Sequence, residues 1–153
     1  MTRVIVDTSA WIESFHPTGD IKLKESVKQL ITEGKILLPG IIKVEILRGT
    51  KSKEEYERLD ELFSSLTYLP VEENFWGRLA QFSFDLFRRG IVVPLVDTYI
   101  ALLAIENNAS LLHRDQHFDL IAQKTDLEIL KFEPVRRQKQ KNWSEPLKLD
   151  SLG

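Results

Sequence analysis

The sequence predicts an α/β fold, a mainly parallel central sheet with helices on both faces. Two observations predict it. Short runs of β-branched and apolar residues recur along the chain, each bounded by turn residues. Between them lie longer segments of helical periodicity, and strands interleaved with helices build parallel sheets covered on both sides.

The elements follow in order. Residues 3–6 read as a buried strand, and Asp7-Thr8-Ser9 supplies capping side chains ahead of Ala10-Trp11-Ile12. A helix is expected over residues 20–33, with Ile21, Leu23, Val27, Leu30 and Ile31 inside and Gly34 as the stop. Residues 35–38 form a second strand. Pro39-Gly40 then turns the chain into a helix carrying Ile42, Val44, Ile46 and Leu47 and ended by Gly49. Two amphipathic helices follow, one on Tyr56, Leu59, Leu62, Phe63 and Leu66, the other on Val71, Phe75, Trp76, Leu79, Phe82, Leu86 and Phe87. Arg88-Arg89-Gly90 suits the end of the second. Ile91-Val92-Val93 leads through Pro94 to Asp97, which opens an almost wholly apolar, buried helix over residues 99–105. A strand at 109–112, a short helix at 115–123 and a last strand at 128–132 complete the pattern.

At 153 residues, 42% hydrophobic and 29% charged, the chain reads as one globular domain. That domain is expected over residues 1–133, with residues 134–153 as a C-terminal extension rich in Arg136, Arg137, Lys139 and Lys141 and carrying Trp143. The absence of cysteine excludes disulfides, thiolate metal sites and cysteine nucleophiles, and fits a cytoplasmic location. The N-terminal apolar run is too short for a secretory signal, and no stretch is long enough to span a bilayer. A net charge of −2 makes no global case for nucleic-acid binding, so any such activity needs local cations or metal ions against phosphate.

Four carboxylates carry the chemistry: Asp7, Glu45, Asp97 and Asp115. Taken singly, Asp7, Asp97 and Asp115 each read as helix N-caps. Glu45 does not, because it sits at the edge of an apolar helical stripe, where an ion pair with Arg48 contributes only about 0.2–0.5 kcal/mol. In an open parallel sheet the C-terminal strand ends share one edge, where ligands bind. Asp7, Asp97 and Asp115 are expected there, with Glu45 within reach. Four oxygen donors without cysteine suit Mg²⁺ or Mn²⁺. Such an ion can activate water against a phosphodiester, whereas acyl transfer needs an activated nucleophile and an oxyanion hole.

Four segments, in this order, resemble the PIN-domain ribonucleases, most closely the VapC-type toxins of toxin–antitoxin pairs. They are Val4-Ile5-Val6-Asp7-Thr8-Ser9-Ala10-Trp11, Val44-Glu45-Ile46-Leu47-Arg48-Gly49, Val96-Asp97-Thr98-Tyr99-Ile100-Ala101 and Leu111-Leu112-His113-Arg114-Asp115-Gln116-His117-Phe118. The resemblance spans residues 3–132. It implies a three-layer α/β/α fold, a Mg²⁺- or Mn²⁺-dependent endoribonuclease, an RNA substrate, a small antitoxin partner and a homodimer. It makes Asp7, Asp97 and Asp115 the main metal ligands, with Glu45 ligating or orienting water and Ser9 hydrogen-bonding nearby. His113 stands where many members carry threonine.

His113 and His117 flank Asp115 as candidate general bases or metal ligands; the packed or solvent-exposed reading is preferred for both. His16 is read as structural, and for Asp119, on the same short helix as Asp115, a place off the site is preferred over one at its rim. The aromatic stripe over residues 75–87 is read as core or dimer interface, and the basic tail as solvated or packed on a partner rather than clamping RNA. Two other classes compete. One is a non-catalytic PIN-like RNA- or protein-binding module. The other is a metal-dependent phosphatase or phosphorelay receiver; a haloacid-dehalogenase-like enzyme wants an acid where Ser9 stands, and a receiver wants an acidic pair and a late lysine that are not evident.

Overall fold

A computed structural model describes residues 2–132 of the chain. The expected extension, with Arg136, Arg137, Lys139, Lys141 and Trp143, lies outside the described residues.

Five parallel strands form one sheet in the order β3-β2-β1-β4-β5. They are β1 (Val4–Val6), β2 (Ile36–Pro39), β3 (Thr67–Leu69), β4 (Ser110–Leu112) and β5 (Glu128–Ile129). β1 and β4 are buried throughout, which is why β1 reads as an unbroken apolar run and β4 as Leu111-Leu112 behind a buried Ser110, rather than as alternating patterns.

The helices are α1 (Thr8–Phe15), α2 (Ile21–Thr32), α3 (Gly40–Arg48), α4 (Lys53–Ser64), α5 (Phe75–Arg88), α6 (Leu95–Glu106) and α7 (Gln116–Ala122). The chain steps from β1 to β2 to β3 in one direction, then returns to β4 and β5 on the other side of β1. Right-handed crossovers therefore send the early and late helices to opposite faces. The packing agrees: α1 meets α2 and α3, and α3 meets α4, whereas α5 meets α6, and α6 meets α7. The result is three layers. On the first face Trp11, fully buried, stacks on Phe15 with ring centroids 5.7 Å apart and meets Phe63 edge-on at 5.3 Å. On the other, Ile100 to Ala104 of α6 are all buried, in line with a helix apolar nearly all round.

Five details depart from the sequence expectations. Ile21, Trp76 and Phe87, expected on the inner stripes of their helices, are exposed, because the apolar faces that pack on the sheet are narrower than the sequence pattern. β3 was not anticipated; two of its three residues are exposed, so it carries no buried-strand signal. α5 begins at Phe75 rather than near Val71, which packs on the core from the loop after Pro70. α6 begins at Leu95 with Pro94 as its cap residue, so Asp97 lies inside the first turn and caps nothing. The last strand pairs only over Glu128–Ile129, with one further bond from the Leu130 N–H to the Leu111 carbonyl.

Order reversal places β1 and β4 side by side at the topological switch point, where open α/β sheets leave a crevice at the carboxyl ends of their strands. The Asp7 N–H donates to the Leu112 carbonyl at 2.9 Å. Asp7 and His113 thus leave the sheet as neighbours.

Candidate metal and catalytic centre

Asp7 is the N-cap of α1 and is 6% exposed. Its Oδ2 accepts from the Ser9 N–H at 3.0 Å and from Ser9 Oγ at 2.6 Å. Ser9 Oγ in turn accepts from the Arg114 N–H at 3.0 Å. One hydroxyl therefore ties the loop after β1 to the loop after β4 and fixes the Asp7 carboxylate. Thr8, the residue between them, donates from Oγ1 to Glu45 Oε1 at 2.9 Å. This bond draws α3 towards the same edge. Among the described residues no ion pair joins Glu45 to Arg48, so the surface-pair reading of Glu45 has no support.

Asp115 is the N-cap of α7, its Oδ1 accepting from the His117 N–H at 3.0 Å. Capping and site membership are compatible, since a carboxylate has lone pairs for both. Asp97 approaches from α6, its side chain 14% exposed. Imidazole Nδ1 of His117 stands 2.9 Å from Asp97 Oδ2 and 3.1 Å from Asp115 Oδ1. One ligand atom from each of Asp97, Asp115 and His117 falls within a mutual 4.8 Å.

Electrostatics bind Asp7 to this group. Burial pushes the Asp97 carboxyl above its ordinary value, and the negative charges of Asp115 and Asp7 push the same way. The hydrogen bond from His117 opposes them. Three carboxylates thus converge where, among the described residues, the only cation-forming group at hydrogen-bonding distance from Asp97 or Asp115 is an imidazole. The donors are oxygens with one ring nitrogen, and their unrelieved mutual repulsion is what a divalent cation offsets. The residues present fit a metal.

The structure divides the sequence candidates. It brings Asp97 and Asp115 together with His117, leaves Asp7 close enough for its charge to act on Asp97, and ties Glu45 to Thr8, the neighbour of Asp7. Ser9 holds Asp7, as expected. His113 is packed: its side chain is 7% exposed and its ring lies 5.2 Å from Phe118. The Asp115 N–H donates to His113 Nδ1 at 3.0 Å, which places any neutral-ring proton on Nε2, facing Asp119 Oδ1 at 3.2 Å. His16 is buried and bonded to Thr18 through Nδ1. His117, its side chain 36% exposed, lies beside two of the candidate carboxylates. Its signal in the sequence was the spacing Asp115-Gln116-His117, two residues past an N-cap.

Sequence reasoning also missed Glu13. It is 6% exposed and pairs with Arg114 Nη2 at 3.2 Å. Arg114 is drawn away from the carboxylates, its guanidinium 5.9 Å from the centre of the Phe132 ring. Glu13 and Arg114, with Ser9, Asp115 and Asp119, line a cavity of about 470 Å³ beside the cluster. Asp119 does reach the rim.

Comparison with known proteins identifies the family. The PIN domain family model matches residues 4–124. A VapC ribonuclease of Mycobacterium bovis is 35% identical over 133 residues, covering 84% of this chain and 98% of the relative. Ribonuclease VapC11 of Mycobacterium tuberculosis matches to the same extent, 35% over 133 residues. Among solved structures, a chain of VapBC2 from Rickettsia felis, bound to promoter DNA, superposes with a TM-score of 0.71 at 19% identity, covering 86% of this chain and all (100%) of that one. FitAcB from Neisseria gonorrhoeae gives a TM-score of 0.68 at 20% identity over 84% of this chain and 96% of that one. At those identities the two structures speak for the fold.

Proposed function

Because the chain belongs to the PIN-domain family, on its VapC branch, we propose that it is a divalent-metal-dependent endoribonuclease and the toxin of a type II toxin–antitoxin pair. The observation that carries this reading is the convergence of Asp7, Asp97 and Asp115 at the carboxyl edge of the parallel sheet. Among the described residues, His117 is the only cation-forming partner of Asp97 and Asp115 at hydrogen-bonding distance. Asp7, Asp97 and Asp115 would hold Mg²⁺ or Mn²⁺, and Glu45 would ligate it or orient a water. A bound divalent ion supplies charge to the phosphate and acidifies a water for attack on phosphorus.

The protein's own groups do the positioning. Ser9 fixes the Asp7 carboxylate by two hydrogen bonds. Thr8 fixes Glu45 by one. The Asp115 N-cap bond ties its carboxylate to the start of α7. Each oxygen donor is thereby pre-oriented before RNA arrives, which lowers the cost of assembling the site.

The curated relatives are named ribonucleases, and several structural neighbours are toxin–antitoxin complexes. They support RNA as substrate and a small antitoxin, encoded nearby, as partner. Action in the cytoplasm, where such an RNA is met, is part of the same reading. No helix among the described residues is long and apolar enough to cross a membrane. Exposed Val44, Trp76 and Leu95 form an apolar groove with Ile41, Leu79 and Tyr99. Such a patch on one face supports a homodimer, which light scattering would measure.

The reading is tested in cells. Expression should arrest growth, and Asp7→Asn or co-expression of the adjacent open reading frame should relieve it. Equal arrest by the Asp7→Asn protein would point to the competing non-catalytic binding module.

A further inference from the structure

We infer that His117 is a nitrogen ligand of the ion held by Asp97 and Asp115, and that it makes this centre favour Mn²⁺ over Mg²⁺. The inference rests on the metal-dependent reading above, and deepens it by naming a donor that the carboxylate set alone does not contain.

The first argument is spacing. Two ligand atoms about 2.1–2.2 Å from one ion and at right angles to each other lie about 3.0 Å apart. The same nitrogen of His117, Nδ1, is 2.9 Å from Asp97 Oδ2 and 3.1 Å from Asp115 Oδ1. Three donor atoms within a mutual 4.8 Å, one from α6 and two from the start of α7, form a face that can present to one cation.

The second argument is how the ring is placed. His117 is the second residue of α7, and its N–H is captured by Asp115 Oδ1 at 3.0 Å. Side chains at a helix start lean back towards the N-terminus. The cap that fixes Asp115 therefore also aims the His117 ring over the loop and onto Asp97. His113, the other candidate, has Nδ1 occupied by the Asp115 N–H and Nε2 turned to Asp119. Arg114 is committed to Glu13 and Phe132. Of the three neighbouring cation-forming side chains, only His117 faces the carboxylates.

The third argument is donor chemistry. Mg²⁺ is a hard ion that prefers carboxylate and water and sheds its water reluctantly. Imidazole suits first-row transition ions, which also bind oxygen donors more tightly than Mg²⁺ does. Replacing one oxygen of a carboxylate set by an imidazole nitrogen shifts preference towards Mn²⁺ while keeping the site usable by both.

A competing role gives His117 only the two hydrogen bonds, orienting the carboxylates. Pulsed electron paramagnetic resonance on the full-length protein loaded with Mn²⁺ separates the two, because a directly bound nitrogen couples to the manganese electrons. The parent should show nitrogen coupling that changes on labelling histidine with ¹⁵N. His117→Asn, whose amide can still donate to the carboxylates, should lose it. Calorimetry should show the Kd for Mn²⁺ rising roughly 10-fold or more in that variant, with the Kd for Mg²⁺ changing far less. Mn²⁺ bound by the parent and lost in Asp97→Asn, but with no histidine coupling, would overturn the ligand role and leave the metal centre standing. Equal weakening of both ions without coupling would reduce His117 to a positioning group. Failure of the folded parent to bind Mn²⁺ at all would remove both the inference and the reading beneath it.

Discussion

Asp97→Asn should make the metal-free protein more stable and the metal-loaded protein less responsive. The donor atoms of Asp97 and Asp115 lie within 4.8 Å, so two unit charges there repel by about 3.5 kcal/mol at an effective dielectric near 20, and by about 1 kcal/mol in bulk water. The Asp115 side chain is 34% exposed, which places the cost between those limits. The neutral amide removes it and relieves Asp7 as well. Against this stand a weaker bond to His117 and the loss of a first-turn charge at the start of α6, together about 1 kcal/mol. The net gain is about 1 kcal/mol, or about 2–4 °C in Tm for a domain of this size. Thermal unfolding in EDTA at neutral pH measures it. The Asp97 carboxyl is raised in the folded state above its ordinary value of 3.8. The parent's stability from this group is therefore fully present below the unfolded value and is lost as pH rises through the folded one. The advantage of the Asp97→Asn protein over the parent should accordingly vanish in acid. Adding Mn²⁺ at about 100 times its Kd should stabilise the parent by about 2.7 kcal/mol and the variant hardly at all. A variant that melts below the parent in EDTA, or gains as much from Mn²⁺, refutes the argument.

Three further outcomes follow from the packing. Ser9→Ala removes both the hydroxyl bond to Asp7 and the acceptor for Arg114, and should weaken Mn²⁺ binding by about 10–100-fold while the circular dichroism spectrum is unchanged. Trp11→Ala empties the fully buried site between Phe15 and Phe63 and should cost about 3–5 kcal/mol in denaturant unfolding. Gly19→Ala would place a methyl group 2.0 Å from the Glu13 carbonyl oxygen, a backbone clash that should lower stability by about 1–3 kcal/mol in the same assay.

The fold was legible where burial is total. β1, β4 and α6 announce themselves because they are largely apolar and buried, with Ser110, Asp97 and Thr98 among the polar exceptions. β3 was not, since its pairing with β2 uses backbone groups while Thr67 and Tyr68 face water. The boundary of α6 was missed by two residues because Pro94, which has no N–H to contribute, opens the helix without a side-chain cap. At the site, the carboxylates were legible from their place at strand ends, but their supports were not. Ser9 to Arg114 spans 105 residues of sequence and Thr8 to Glu45 spans 37; contacts of that kind exist only once the sheet order is known. His117 shows the limit most clearly. Its partner Asp97 is twenty residues away on another helix, so the local spacing Asp115-Gln116-His117 marks it as near the cap but does not name Asp97 as its partner.

The central claim is that this acidic edge cleaves RNA with a divalent ion. Incubating the purified protein with labelled RNA in Mg²⁺, Mn²⁺ or EDTA, beside Asp7→Asn and Asp115→Asn, tests it most directly. Internal cleavage by the parent in either metal, none in EDTA and none by the folded variants is the predicted result. Cleavage that persists in EDTA, or in either variant at the parent's rate, would contradict it.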